Sequence, residues 1–208
     1  MCDSSYCYFI VGLINSSKQL YLYLYKKRGY NCAINDNEDF FYINDIDSDN
    51  FSCQLMKSIS NENILTCFYQ TENSNQITAH NFKFDFNTNI NNYTIISLFS
   101  NSTSSKKVNI IKSILSQDYT KSLVCYINEI DKHCYCLTYN ITTYSWSNCK
   151  IYLSGCLSKS SSLNIEYFDS TNEYILYCYQ SETKFSLKKL DENFEIKDDE
   201  KNGIYDLT

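Results

Sequence analysis

Proline is absent from this 208-residue chain and glycine occurs only four times, at positions 12, 29, 155 and 203. Glycine-rich phosphate cradles, both the dinucleotide fingerprint and the P-loop, are therefore excluded, because each needs several glycines within one turn. No HExxH motif occurs. Arginine appears once, as Arg28, and the lysines form no long basic run. The chain thus lacks the basic footprint of a nucleic-acid binder or of a polybasic membrane patch. No stretch of about 18 apolar residues exists, so direct membrane insertion is not expected. Strong helix formers are rare: alanine stands only at positions 33 and 79, and there are two methionines. Met1 is followed by Cys2, Asp3 and Ser4, with neither a basic leader nor a long apolar one, so no signal peptide is read there.

What the chain does contain favours β-structure. It carries 20 Tyr and 12 Phe, with 43% hydrophobic and 20% charged residues, a globular composition. With proline and glycine scarce, Asn and Asp must supply the turns, since both tolerate the left-handed region and bond to their own backbone. Net charge is −6. Eleven cysteines, at 2, 7, 32, 53, 67, 125, 134, 136, 149, 156 and 178, point to disulfides in a secreted or surface protein; their odd count and the absent leader suggest an excised part of a longer parent.

A degenerate repeat organises the chain. Cys7, Cys67, Cys125 and Cys178 each sit in a short apolar run (YCYFIVGL, ILTCFYQ, SLVCYIN, YILYCYQ), spaced by 60, 58 and 53 residues. A polar turn and an alternating strand follow each: QLYLYLY, ITAHNFKF, CYCLTYN, FSLKKL. Together they read as β-hairpins. A second turn leads to an outer strand, expected at YNCAI, NNYTII, YSWSNCKIY and FEIKD. A short strand precedes the cysteine strand in three units, beginning at Cys53, Asn109 and Asn164. A four-stranded antiparallel meander recurring about every 55 residues is the pattern of a β-propeller blade. The expectation is an all-β, single propeller-like domain over 1–208. Its blades fall near 1–50, 51–104, 105–162 and 163–208, forming a four-bladed ring or part of a six- or seven-bladed one.

The candidate chemistry is sparse. His133-Cys134-Tyr135-Cys136 is the densest ligand-like cluster, but strand alternation puts Cys134 and Cys136 on one face and His133 on the other. A disulfide from Cys125 to Cys134 or to Cys136 on the adjacent strand is the better reading. A Cys–His nucleophile would need His80 or His133. The acidic stretch INDNEDFFYINDIDSDN (Asp36, Glu38, Asp39, Asp45, Asp47, Asp49) reads as a solvated interblade loop rather than a carboxylate pair or a Ca²⁺ loop. Sequons at Asn15, Asn50, Asn92, Asn101 and Asn140 match the number chance gives in so Asn-rich a chain. The candidate disulfide cysteines are Cys125, Cys134, Cys136, Cys149 and Cys156. No catalytic residue, cofactor or metal is called for.

Tyr139-Asn140-Ile141-Thr142-Thr143-Tyr144-Ser145-Trp146 resembles the kelch-type turn, as does Phe84-Asp85-Phe86-Asn87-Thr88-Asn89 without its Trp, although the kelch double glycine is missing. The whole chain resembles the cysteine-rich surface or secreted propellers of malaria-type parasites, with the cysteine-rich protective antigen family the nearest comparison. That resemblance implies a six-bladed parent with disulfides inside blades, a Cys125–Cys136 hairpin pair, and a non-enzymatic role binding protein partners in adhesion or invasion. The alternatives are a glycan-processing hydrolase on a propeller scaffold and an intracellular kelch-like adaptor.

Overall fold

The computed structural model describes residues 6–17, 19–28, 40–43, 46–57, 60, 62–71, 74–86, 93–104, 107–148, 150–159, 161–197 and 204–206. All of its regular elements are strands, in four antiparallel sheets taken in chain order. The first holds β1 (Tyr6–Ile14), β2 (Leu20–Arg28) and β3 (Phe40–Ile43). The second is the meander β4 (Ile46–Lys57), β5 (Asn63–Thr71), β6 (Gln76–Phe86) and β7 (Tyr93–Ser104). The third is β8 (Val108–Leu115), β9 (Lys121–Asn128) and β10 (Cys134–Asn140), with β11 (Ser145–Trp146) and β12 (Lys150–Leu153) both on β10. The fourth is β13 (Leu163–Phe168), β14 (Glu173–Tyr179), β15 (Lys184–Leu190) and β16 (Ile204–Asp206).

Some expected elements differ from the structure, and one lies where nothing is described. YNCAI lies outside the described residues, and the outer strand of the first sheet is Phe40–Ile43. The acidic stretch is therefore not all loop: its apolar FFYI pairs with β2, and β4 begins at Ile46 within it. The boundary between the first two sheets lies between Ile43 and Ile46 rather than at 50. FEIKD gives only a bridge, Ile196 to Leu190. There Asp191 Oδ1 accepts the amides of Asn193 (2.8 Å) and Glu195 (2.9 Å), folding the chain back before a strand can start. The outer strand is instead β16, on Lys184–Ser186.

Asn and Asp make the turns that glycine and proline do not. Asn15, Asn128 and Asn140 each accept backbone N–H bonds two to four residues ahead through Oδ1. Left-handed backbone falls on Tyr119, Lys132, Tyr144, Asn172 and Phe194. Each such non-glycine residue costs about 1 kcal/mol, and the surrounding bonds hold it in place.

The core follows from the two-residue side-chain period. Every residue of β9 from Ser122 to Asn128 is buried, so the third sheet is covered on both faces. Leu123, Cys125 and Ile127 meet Leu163, Tyr174, Leu176 and Cys178 of the fourth sheet. Val124 and Tyr126 meet Met56, Ile64, Phe68, Ile77 and Ala79 of the second. The second, third and fourth sheets thus stack in sequence. The first strand of the third sheet, β8, touches the first strands of its two neighbours, β4 and β13. Gln54 Nε2 on β4 donates to the Ser113 carbonyl on β8 (2.8 Å), and Tyr174 on β14 donates to the Leu115 carbonyl (3.0 Å). Between the second and third sheets a buried polar chain runs from Thr66 Oγ1 to Asn81 Oδ1 (2.8 Å) and from Asn81 Nδ2 to the Tyr139 hydroxyl (2.9 Å). β14 alternates half-buried and buried residues, so the far face of the fourth sheet is open.

Candidate functional site

Two features of the described residues carry chemistry: the cysteine framework and a polar cavity at one end of the fourth sheet. Cys125 and Cys136 stand directly opposite each other in the β9–β10 register and are disulfide-bonded. Cys134 shares their face but stands opposite Ile127, which decides between the two partners the sequence left open for Cys125. It is fully buried outside the three described bridges, with Sγ 3.9 Å from Cys136 Sγ. Cys156, ahead of β13, bonds Cys178 on β14. Cys149 lies outside the described residues.

A third bridge, Cys53–Cys67, joins directly opposed residues of β4 and β5. The candidate cysteines of the sequence reading did not include this pair, nor Cys178. The signal was present: Cys53 and Cys67 are equidistant from the turn between their strands, as Cys125 and Cys136 are from theirs. The recurring second-strand cysteine is thus bridged in three sheets, each time to a different place: the preceding strand, the following strand, or the incoming loop.

The ligand atoms of Cys125, Cys134 and Cys136 lie within 4.8 Å of one another. Metal binding needs thiolates. Two of these sulfurs are bonded to each other, so the trio is a disulfide with a neighbouring cysteine. His133 stays apart, its Nδ1 2.7 Å from the Asp131 carbonyl. His80 stands across the register from Cys67, whose sulfur is bonded to Cys53, so that pair offers no thiolate for a histidine to activate. His80 stacks on Phe82 (4.3 Å) and lies 3.3 Å from the Tyr69 hydroxyl; burial pushes its imidazole pKa below the ordinary value. Asp36, Glu38, Asp39 and Asp45 lie outside the described residues.

The cavity, about 420 Å³, opens where the segment entering β13 meets the β14–β15 turn. It is lined by Leu157, Lys159, Ser161, Ser162, Asn164, Tyr179, Ser181 and Glu182. The Cys156–Cys178 disulfide ties the wall to β14. Beside it, Leu157 N–H donates to the Tyr179 carbonyl (2.7 Å), and Tyr179 N–H to the Ser162 carbonyl (2.9 Å). Gly155 turns the chain into this wall at φ 70°. A side chain there would meet Gln180 Nε2 at 3.5 Å, and that amide donates to the Ser154 carbonyl (2.8 Å). Sequence reading gave no hint of the cavity, because its residues come from the loop entering β13, from β13 itself, from the end of β14 and from the turn after it, which meet only once the sheet has formed.

No family model matches the chain, and no curated protein matches it.

Proposed function

We propose that this chain is a propeller-type binding module of the extracellular space or cell surface, acting on a protein partner without catalysis. The observation that carries the reading is the set of three disulfides, which persist in oxidising compartments and are rare where thiols are kept reduced. The blade reading draws support from four successive antiparallel sheets, three of them stacked in chain order with their first strands adjacent. A ring that presents loops from several blades at one end is a binding platform. Relatedness to the cysteine-rich propellers of malaria-type parasites belongs to the same proposal, and the Cys125–Cys136 bridge inside one hairpin supports it.

The hydrolase alternative asks for two carboxylates about 5–10 Å apart at one cavity. The polar cavity at the fourth sheet is lined by one, Glu182; a smaller one, about 190 Å³, is lined by two, Asp118 and Glu192, but the Asp118 carboxylate is taken up by the Ser116 and Thr120 hydroxyls and Glu192 accepts from Asn172. The adaptor alternative asks for reduced cysteines, which the three bridges oppose. No helix of the described residues is long and apolar enough to cross a membrane.

The test is binding of disulfide-intact protein, labelled on lysine, to intact cells before and after protease treatment of their surface. The proposal expects saturable binding that protease removes and that reduction of the protein abolishes. Equal binding by the reduced, unfolded chain would sink it.

A further inference from the structure

We propose that the cavity between the β13 entry loop and the β14–β15 turn is a binding site for a neutral carbohydrate. The inference is independent of the protein-binding reading and stands whether or not a protein partner exists.

The lining carries one cation, Lys159, and one carboxylate, Glu182, both exposed, and neither head group is engaged by another described residue. An anionic ligand would meet Glu182 and a cationic one Lys159. A neutral ligand with hydroxyl groups satisfies both, since each hydroxyl can donate to the carboxylate or accept from the ammonium. The Asn164 side-chain amide, whose Nδ2 already donates to the Ser161 carbonyl (3.4 Å), adds an acceptor at the same rim.

Tyr179 forms one wall and is half-buried. It stands in a group of three rings on the open face of the fourth sheet. Tyr179 lies 6.2 Å from Tyr177 and 6.1 Å from Phe185, and Tyr177 lies 6.3 Å from Phe185. An aromatic face is electron-rich and attracts polarised C–H groups. A pyranose has such a C–H face and a rim of hydroxyls, the combination that an aromatic wall with polar edges selects. The volume, about 420 Å³, falls in the range of small-ligand pockets, about 300–1,000 Å³.

The Cys156–Cys178 bridge and the two backbone bonds beside it fix the wall before a ligand arrives, which lowers the ordering cost of binding. With one carboxylate among the described residues of the lining, the inferred role is holding a sugar rather than cleaving it.

The test is saturation-transfer-difference NMR on the full, disulfide-intact chain. The probes are maltotriose, chitotriose and N-acetyllactosamine, with glucose 6-phosphate and glucosamine as the anionic and cationic counterparts. The expected result is transfer to at least one neutral probe and to neither charged one. Lys159→Gln and Glu182→Gln, both at exposed positions where the fold is insensitive, should each weaken binding about tenfold, the size of a charge-assisted hydrogen bond. Tyr179→Ala should abolish it. Tyr179→Phe, which keeps the ring and the packing, should retain most of it and so separates loss of the stacking face from loss of fold. Silence of all neutral probes, preferred binding of a charged one, or unchanged affinity in Lys159→Gln and Glu182→Gln would each overturn the proposal.

Discussion

Removing a single oxygen tests how the second and third sheets are held together. The Tyr139 ring is fully buried against Phe68 (5.7 Å) and Trp146 (4.9 Å), and its hydroxyl accepts from Asn81 Nδ2 at 2.9 Å. Burial pushes the phenol up to about 12, so the hydroxyl is neutral near neutral pH. Tyr139→Phe keeps the ring contacts, opens almost no cavity and deletes only the hydrogen bond. A buried neutral hydrogen bond whose partner remains contributes about 1–2 kcal/mol. Tyr139→Ala also removes the ring and should cost about 3–5 kcal/mol. Urea unfolding with the disulfides intact measures both, and an unchanged denaturant slope shows that the unfolded state is the same. A cycle pairing Tyr139→Phe with Asn81→Ala should show a coupling of about 1 kcal/mol, since the two side chains touch across sheets 58 residues apart in sequence. A Tyr139→Phe loss under about 0.3 kcal/mol, or zero coupling, would refute the packing described for this interface.

Replacing Cys156 and Cys178 together by serine opens a 22-residue loop and should cost about 3 kcal/mol, read as a lower thermal midpoint. Gly155→Ala meets only ordinary contact with Gln180 but must hold φ near +70°, so it should cost about 1–2 kcal/mol through the backbone alone. Acid should destabilise the chain in two limbs, measured by urea unfolding at a series of pH values. Burial holds His80 below 6.5, so as pH falls through that value the unfolded chain takes up the proton first, and His80→Gln removes this limb. Glu62 is held low by its bond to Lys83. Asp118 is also held low: burial opposes this, but the bonds from Ser116 and Thr120 outweigh it. Their contribution is present above the ordinary carboxylate range and is lost as pH falls through the lower folded-state values, and Asp118→Asn should reduce this second limb.

The architecture was legible wherever one landmark repeated. Second-strand cysteines at 67, 125 and 178 and the alternating strands after them fall on β5, β9 and β14 and on β6, β10 and β15. The turns were legible too, because Asn128 and Asn140 close their own hairpins through Oδ1 without help from distant residues. The outer strands were harder. FEIKD has strand composition, yet the local Asp191 turn competes successfully for its amides. FFYI was hidden inside an acidic run whose composition reads as loop. Disulfide partners were partly hidden, since a cross-strand pair such as Cys53–Cys67 follows from register, whereas Cys156–Cys178 joins a loop to a strand and depends on how the chain enters β13. The cavity at Lys159, Tyr179 and Glu182 has no linear signature at all.

The measurement that bears most directly on the central claim is a disulfide map of the folded protein, alkylated without reductant, digested and read by mass. The account predicts cross-linked peptides joining Cys53 to Cys67, Cys125 to Cys136 and Cys156 to Cys178, with no alkylation at those six positions. Alkylation of these cysteines in the folded chain would contradict it, removing the framework on which the extracellular binding module rests.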